Sequence, residues 1–299
     1  MRHGPPRNVV LVLPEQVQLL DVAGPAQVFV AASEVGGAYD VRYVAATPSV
    51  GTHQGLPLTA ATEWPALGPR DLVIVPGWET SATRAPIAGH LLAAVAEHAR
   101  LGGHVASVCA GALALAEAGL LTGRRATTHH DLVDRLARHP DVTVVRDVLY
   151  TCDGPVHTSA GIASGIDLAL HIVSEDHGPA LAARVARSLV VPAWRPGGAP
   201  QASVMLRHRD HISDVVHRAQ DILDDLESGP PTLDRLADRL ATSPRTLARH
   251  FVQATGLTPH AYGSLVRHEH ASQLVAQGWT RQAAATAVGY ADARSLRSR

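Results

Sequence analysis

Two short runs constrain the fold more than anything else in this chain. Asn8–Leu13 (NVVLVL) and Asp71–Val75 (DLVIV) are almost wholly apolar and rich in β-branched residues. A strand with one wet face alternates apolar with polar residues. A run without alternation suits a strand covered on both faces, as in a parallel sheet sandwiched between helices. Val41–Ala45 repeats this signature and His104–Val108 (HVASV) begins another such strand. Helical patterns fall between them: Asp21–Glu34 opening on Gly24-Pro25, Ile87–Arg100 with Leu91, Leu92, Val95 and Ala99 on one stripe, Ala112–Ala118 and Asp131–Arg138. Asp153-Gly154 predicts a hairpin turn between Val148–Thr151 and Val156–Thr158, and the helices Ile162–Glu175 and Ala180–Leu189 follow. This alternation predicts an open α/β sheet with helices on both faces over residues 1–190.

Val191–Ser203 holds three prolines and two glycines without periodicity, so 191–210 reads as a linker. From 211 to 299 every pattern is helical. Charge changes with it: the 26 basic residues of the chain are all arginine, and the last 70 residues carry nine of them against four acids, a net of +5. The preceding 229 residues have a net charge of −6. An acidic body with a small basic end suits a sensor joined to a nucleic-acid reader. In His211–Glu227 the apolar stripe is two heptads long and suits either a dimer seam or packing within its own domain.

The basic end carries a specific pattern. Leu233, Leu236, Ala237 and Leu240 mark one short helix; Ala241-Thr242 turns; Ser243 is a good N-cap with Pro244 at the first helical position. In that second helix Leu247 and Phe251 point inward, which leaves Arg245, Thr246, Arg249 and His250 for the outer face. This is the layout of a helix-turn-helix, in which arginine can bond a guanine edge bidentately or bind phosphate. A helical hairpin with a solvated basic face has the same spacing. After the long helix Pro259–Gln277, Thr280 caps another short helix, Gly289-Tyr290 turns, and Ala291–Arg299 begins a further one. Two such units joined by one helix are far more specific than either alone.

In the acidic body, His104–Val108 followed by Cys109-Ala110-Gly111 and a helix is a strand–nucleophile–helix arrangement. It would set the Cys109 thiol at a helix N-terminus, where the dipole lowers a thiol pKa. A buried structural cysteine is the alternative. His129 can place an imidazole beside the sulfur, and Asp21, after the first strand, can reach the same sheet edge. His129-His130 with Asp131 or Asp134 shows no third convergent ligand in its spacing, so no metal is expected. No cofactor motif is present either.

These segments resemble known families. LADRLATSPRTLARHFVQATGLTPHAYGSLVRHEHASQLV and AAATAVGYADARSLR resemble the two halves of an AraC/XylS-type DNA-binding domain. That resemblance implies base or phosphate contacts from Ser243, Arg245, Thr246, Arg249 and His250, and from Asp292, Arg294 and Ser295 in the second unit. It also implies a further terminal helix beyond Arg299, so the second unit is expected to be shortened. LLDVAGPAQVF, SVCAGALALAEAGLLTGRRATTHH and HTSAGIASGIDLALHIVSEDHG resemble the DJ-1/PfpI superfamily in its GlxA-type branch, which fuses a flavodoxin-like α/β domain to an AraC-type reader. The segments are similar as well to the isonitrile hydratases of that superfamily, whose cysteine and aspartate correspond to Cys109 and Asp21. Ala110 departs from the threonine of those enzymes and from the histidine of the proteases. Trp78 departs from the usual Pro-Gly-Gly.

The resemblance implies a transcriptional regulator whose partners are promoter DNA, a second copy of the chain and a small-molecule effector. The effector pocket would be formed by Asp21, Gly77, Trp78, Cys109, Ala110 and His129. A Cys109-dependent hydratase is the alternative. No apolar run approaches the ~18 residues of a membrane span, there is no signal-peptide pattern, and two cysteines make no disulfide scaffold, so a cytoplasmic protein is expected.

Overall fold

The structure is a computed structural model that describes residues 5–81, 85–161, 163–191, 194–226, 229–276 and 278–296. It divides into two units between Gln201 and Ala202.

The first unit runs β1 (Arg7–Val12), α1 (Leu19–Glu34), β2 (Tyr39–Val44), the small pair β3 (Ser49–Gly51) and β4 (Pro57–Thr59), β5 (Leu72–Val75), α2 (Gly89–Arg100), β6 (His104–Val108), α3 (Gly111–Glu117), β7 (Arg125–Ala126), α4 (Val133–Leu136), β8 (Thr143–Val144), β9 (Tyr150–Asp153), β10 (Val156–Ser159), α5 (Ser164–His177) and α6 (Pro179–Ser188). Six strands form one sheet in the order β2-β1-β5-β6-β10-β9, parallel throughout except for β9, which pairs antiparallel with β10 across the expected hairpin.

The unbroken apolar runs now have their explanation. Val9 and Leu11 of β1, with Leu72 and Ile74 of β5, sink into a core shared with Phe29 of α1, Leu168 of α5 and Val185 of α6. The intervening Val10, Val12, Val73 and Val75 sink into a second core on the opposite face, with Leu91 of α2 and Leu113 of α3. Side chains alternate between faces, so a strand buried on both must be apolar at every position. Each fully buried Val or Leu contributes about 1.5–3 kcal/mol.

The helix expected over Asp21–Glu34 starts two residues earlier, at Leu19, and carries Pro25 inside it rather than at its opening. Ile162, where the fifth helix was expected to start, lies outside the described residues, as do Pro192, Glu227, Gln277, Arg297 and Arg299. The fourth expected helix, Asp131–Arg138, is a 3-10 turn (His130–Leu132) followed by α4.

The second unit is all helical: α7 (Val204–Arg207), α8 (Asp214–Asp224), α9 (Leu233–Arg239), α10 (Pro244–Thr255), α11 (Pro259–Ala276) and α12 (Arg281–Ala287), then a 3-10 turn at Ala293–Leu296. The stripe of α8 packs within this unit: Val216, Ala219 and Leu223 meet Leu236, Leu247, Phe251 and Tyr262 in one core. No helix among the described residues is long and apolar enough to cross a membrane.

Candidate functional site

In the first unit, four of the singled-out residues meet at the carboxyl edge of the sheet. β1 runs outward to β2 on one side and β5 lies on the other, so the connections after β1 and β5 part company there and leave a crevice. Asp21 follows β1, Gly77 follows β5 and Cys109 follows β6. Asp21 is fully buried, and its Oδ2 accepts from the Gly77 N–H at 3.1 Å. A Cβ on Gly77 would lie 2.5 Å from that oxygen, 2.8 Å from Cys109 Cβ and 2.9 Å from the Ala110 nitrogen, so only glycine fits.

Cys109 has φ +56°, a left-handed backbone for a residue with a side chain. The strain is held by its surroundings: its N–H donates to Ser159 O at 3.0 Å and its carbonyl accepts from Thr128 Oγ1 at 2.7 Å. The expected lowering of its pKa does not occur. Burial, reinforced by the Asp21 carboxylate and opposed by the Ala110 N–H, pushes the thiol up to about 12. The side chain is 8% exposed, and desolvation of a thiolate outweighs the dipole of the seven-residue α3. Cys152, the other cysteine, is also a free thiol and lies on the edge strand β9.

His129 approaches from the loop before the 3-10 turn. A Cβ on Gly161 would lie 2.8 Å from His129 Cδ2 and 3.7 Å from Cys109 Sγ, so ring and sulfur meet at this glycine. Burial pushes the imidazole pKa down. A cavity of about 170 Å³ opens here, lined by His129, His130, Gly161, Ser164, Arg195 and Gln201 among others. Of the six residues expected around an effector, His129 lines this cavity. Asp21, Gly77, Cys109 and Ala110 form the buried layer at the crevice. Trp78, by contrast, is 1% exposed and belongs to the second core, because its large indole finds room between the sheet and the helices of that face.

Arg195 and Gln201 escaped the sequence reading because they stand in the proline- and glycine-rich stretch. They are tied down by specific bonds. Arg195 donates from its backbone N–H to Asp167 Oδ1 at 3.0 Å and from its guanidinium to Oδ2 at 2.6 Å. Gln201 Nε2 donates to Thr128 O at 3.0 Å. Asp167, a lone acid on the apolar face of α5, is the signal that points to a buried cation partner.

In the second unit, α9 and α10 join at Ala241 (φ +50°). The Thr232 and Ser243 hydroxyls cap the two helices, accepting from Arg235 N at 3.3 Å and Thr246 N at 3.1 Å. Leu247 and Phe251 are fully buried; Arg245 and Arg249, four residues apart, are exposed on the opposite face. Ser243 also donates to Thr246 Oγ1 at 2.8 Å, so both hydroxyls serve the cap. His250 leans on Arg249, with Nε2 3.5 Å from the guanidinium. In the second pair, Asp292 Oδ1 accepts from Arg294 N at 2.7 Å and its carboxylate lies 3.3 Å from the guanidinium. Asp292 is therefore a cap for the turn, and Ser295 and Arg294 are exposed beside it. One arginine of the basic end is no surface charge at all: Arg267 is fully buried and donates to the carbonyls of Leu223, Gly263 and Asp225.

Residues 7–175 match the model of the DJ-1/PfpI family. The chain belongs to that family. Residues 236–299 match a helix-turn-helix domain. A Pseudomonas aeruginosa protein named HTH-type transcriptional regulator CdhR is 34% identical over 171 residues, covering 56% of this chain and 50% of that one. The isonitrile hydratase of Pseudomonas putida is 37% identical over 166 residues, covering 54% of this chain and 68% of the enzyme. A crystal structure of an AraC family transcriptional regulator from Pseudomonas putida superposes with a TM-score of 0.55 at 23% identity, covering 62% of this chain and 100% of that one. The matched region spans about half the length of the curated regulators CdhR and ArgR.

Proposed function

We propose that this DJ-1/PfpI-family chain is a sequence-specific transcriptional regulator acting in the cytoplasm. The second unit binds promoter DNA, and the first unit receives a small molecule at the cavity beside Cys109 or joins two copies of the chain. The observation that carries this reading is α10. It is capped at Ser243, anchored by Leu247 and Phe251, and turns Arg245 and Arg249 to solvent on one face. A recognition helix needs this division, because the buried face fixes the angle at which the arginines meet the groove. The fusion to a DJ-1/PfpI unit, in a chain that resembles regulators over much of its length, supports the same reading.

Selection of fragments from a genomic DNA library by the full chain at near-physiological salt tests it. A discrete enriched motif is expected, and purely non-specific retention would refute the reading.

A second reading rests on the apposition of Asp21, Gly77 and a strained Cys109, together with the likeness to isonitrile hydratase. It predicts conversion of an aliphatic isonitrile plus water to the corresponding formamide, lost in Cys109→Ala. The Ala110 methyl, where those enzymes hold a hydroxyl, offers no hydrogen bond to a bound substrate. The regulator is therefore the favoured reading.

A further inference from the structure

The turn from Thr128 into the 3-10 segment gathers three metal-ligating side chains that neither reading above employs as a set. His129 Nδ1 lies 3.5 Å from Asp131 Oδ2, and His130 Nε2 lies 3.4 Å from Asp131 Oδ1. One donor atom from each of the three residues falls within 4.8 Å of the other two. A tetrahedral ion with bonds of about 2.0–2.2 Å keeps neighbouring donors roughly 3.3–3.6 Å apart. Each histidine therefore stands at ligating distance from one oxygen of the Asp131 carboxylate, and the two rings, tilted by 33° with centroids 4.1 Å apart, keep the third side of the donor set within 4.8 Å.

The local backbone explains why consecutive residues can converge. His129 is extended (ψ 142°) and its Nδ1 accepts from the Asp131 N–H at 3.4 Å, so the chain tightens into the 3-10 turn with Asp131 held close to both histidines. Asp134, the other acid nearby, is drawn away by Arg146 at 2.7 Å. What remains is two imidazoles and one carboxylate. That donor set suits zinc, cobalt, nickel or copper, and it lacks the six or more oxygens that calcium takes. Both histidines also line the cavity beside Cys109, so a bound ion would sit at its rim.

We propose that His129, His130 and Asp131 hold one divalent transition-metal ion of the zinc class, with its fourth position left to water or to a donor group of a ligand in the cavity. This goes beyond the regulator reading and is tested by metal binding, so either can fail without the other. The experiment titrates zinc against a chromogenic chelator, and cobalt by its visible absorption. It uses the full, tag-free chain in a Cys152→Ser background that removes the exposed thiol. The expected result is one tight equivalent of zinc and a cobalt band of four-coordinate intensity. His130→Ala and Asp131→Asn alter side chains that are 68% and 75% exposed, so both variants keep the fold, which circular dichroism checks. Each should weaken zinc binding by about tenfold or more. Zinc binding equal to the parent's in both variants, or no stoichiometric binding by the parent at micromolar zinc, overturns the proposal.

Discussion

Acid should loosen the first unit through one histidine. His157 lies on β10 with its ring stacked on His104 of β6, centroids 5.8 Å apart, and its Nδ1 is buried without a hydrogen-bond partner among the described residues. Burial is the main reason its pKa falls from 6.5 to about 4; His104, Arg7 and His171 push the same way, and Asp176 opposes them. Between these values the unfolded chain binds a proton that the folded one refuses. Stability therefore rises with pH through this window and is lost as pH falls below 6.5. The penalty is about 2 kcal/mol at pH 5 and about 3 kcal/mol at pH 4 from this group alone. Urea unfolding followed by tryptophan fluorescence reads the first unit well, since Trp64, Trp78 and Trp194 lie in it and only Trp279 lies in the second. In His157→Leu the difference in stability between about pH 7 and pH 5 should shrink by about 2 kcal/mol. An unchanged difference in the variant would refute the assignment of the acid sensitivity to His157.

Other outcomes follow from the same geometry. Gly77→Ala forces a methyl against Asp21, Cys109 and the Ala110 backbone, and should cost about 1–3 kcal/mol in thermal or urea unfolding; a neutral effect would show that the layer is loosely packed. Phe251→Ala should destabilise the second unit by about 3–5 kcal/mol and abolish DNA binding, while the first unit keeps its own transition. Iodoacetamide at about pH 8 should modify Cys109 roughly a thousandfold more slowly than a free cysteine, because so little thiolate is present. Peptide mass spectrometry checks this, and labelling within minutes would contradict a protonated, buried thiol.

The strands of the sheet were legible because burial on both faces leaves no choice of residue at Val9–Val12 or Leu72–Val75. The caps at Ser243 and Thr280 were legible for an equally local reason: the hydroxyl bonds its own first turn. The start of α1 was not. Gly24-Pro25 looks like a helix opening, yet a Cβ on Gly24 would lie 3.1 Å from Ile166 Cγ1, so the pair serves the close crossing of α1 and α5. Distant partners hid the rest. Nothing near Arg267 in sequence says that it is buried against the end of α8, and nothing near Arg195 points to Asp167. The pairs β3–β4 and β7–β8 hold only two or three residues a strand, too few for a pattern to form. The polarity of the Cys109 site was misread because a helix N-terminus is visible in sequence, whereas the depth of burial is a property of the whole sheet edge. The His129-His130-Asp131 triangle depends on a backbone turn that spacing alone does not specify.

The proposed reading of DNA by α10 rests on Arg245 and Arg249. Its most direct test is the ratio of affinities for a selected motif and a scrambled duplex, measured at about 0.15 M salt for the parent and for Arg245→Ala/Arg249→Ala. A bidentate arginine–guanine pair carries about 1–3 kcal/mol of discrimination. A clear preference is therefore expected in the parent, falling by at least about tenfold in the double variant, with the helical unit still folded. An unchanged ratio in the variant would contradict it.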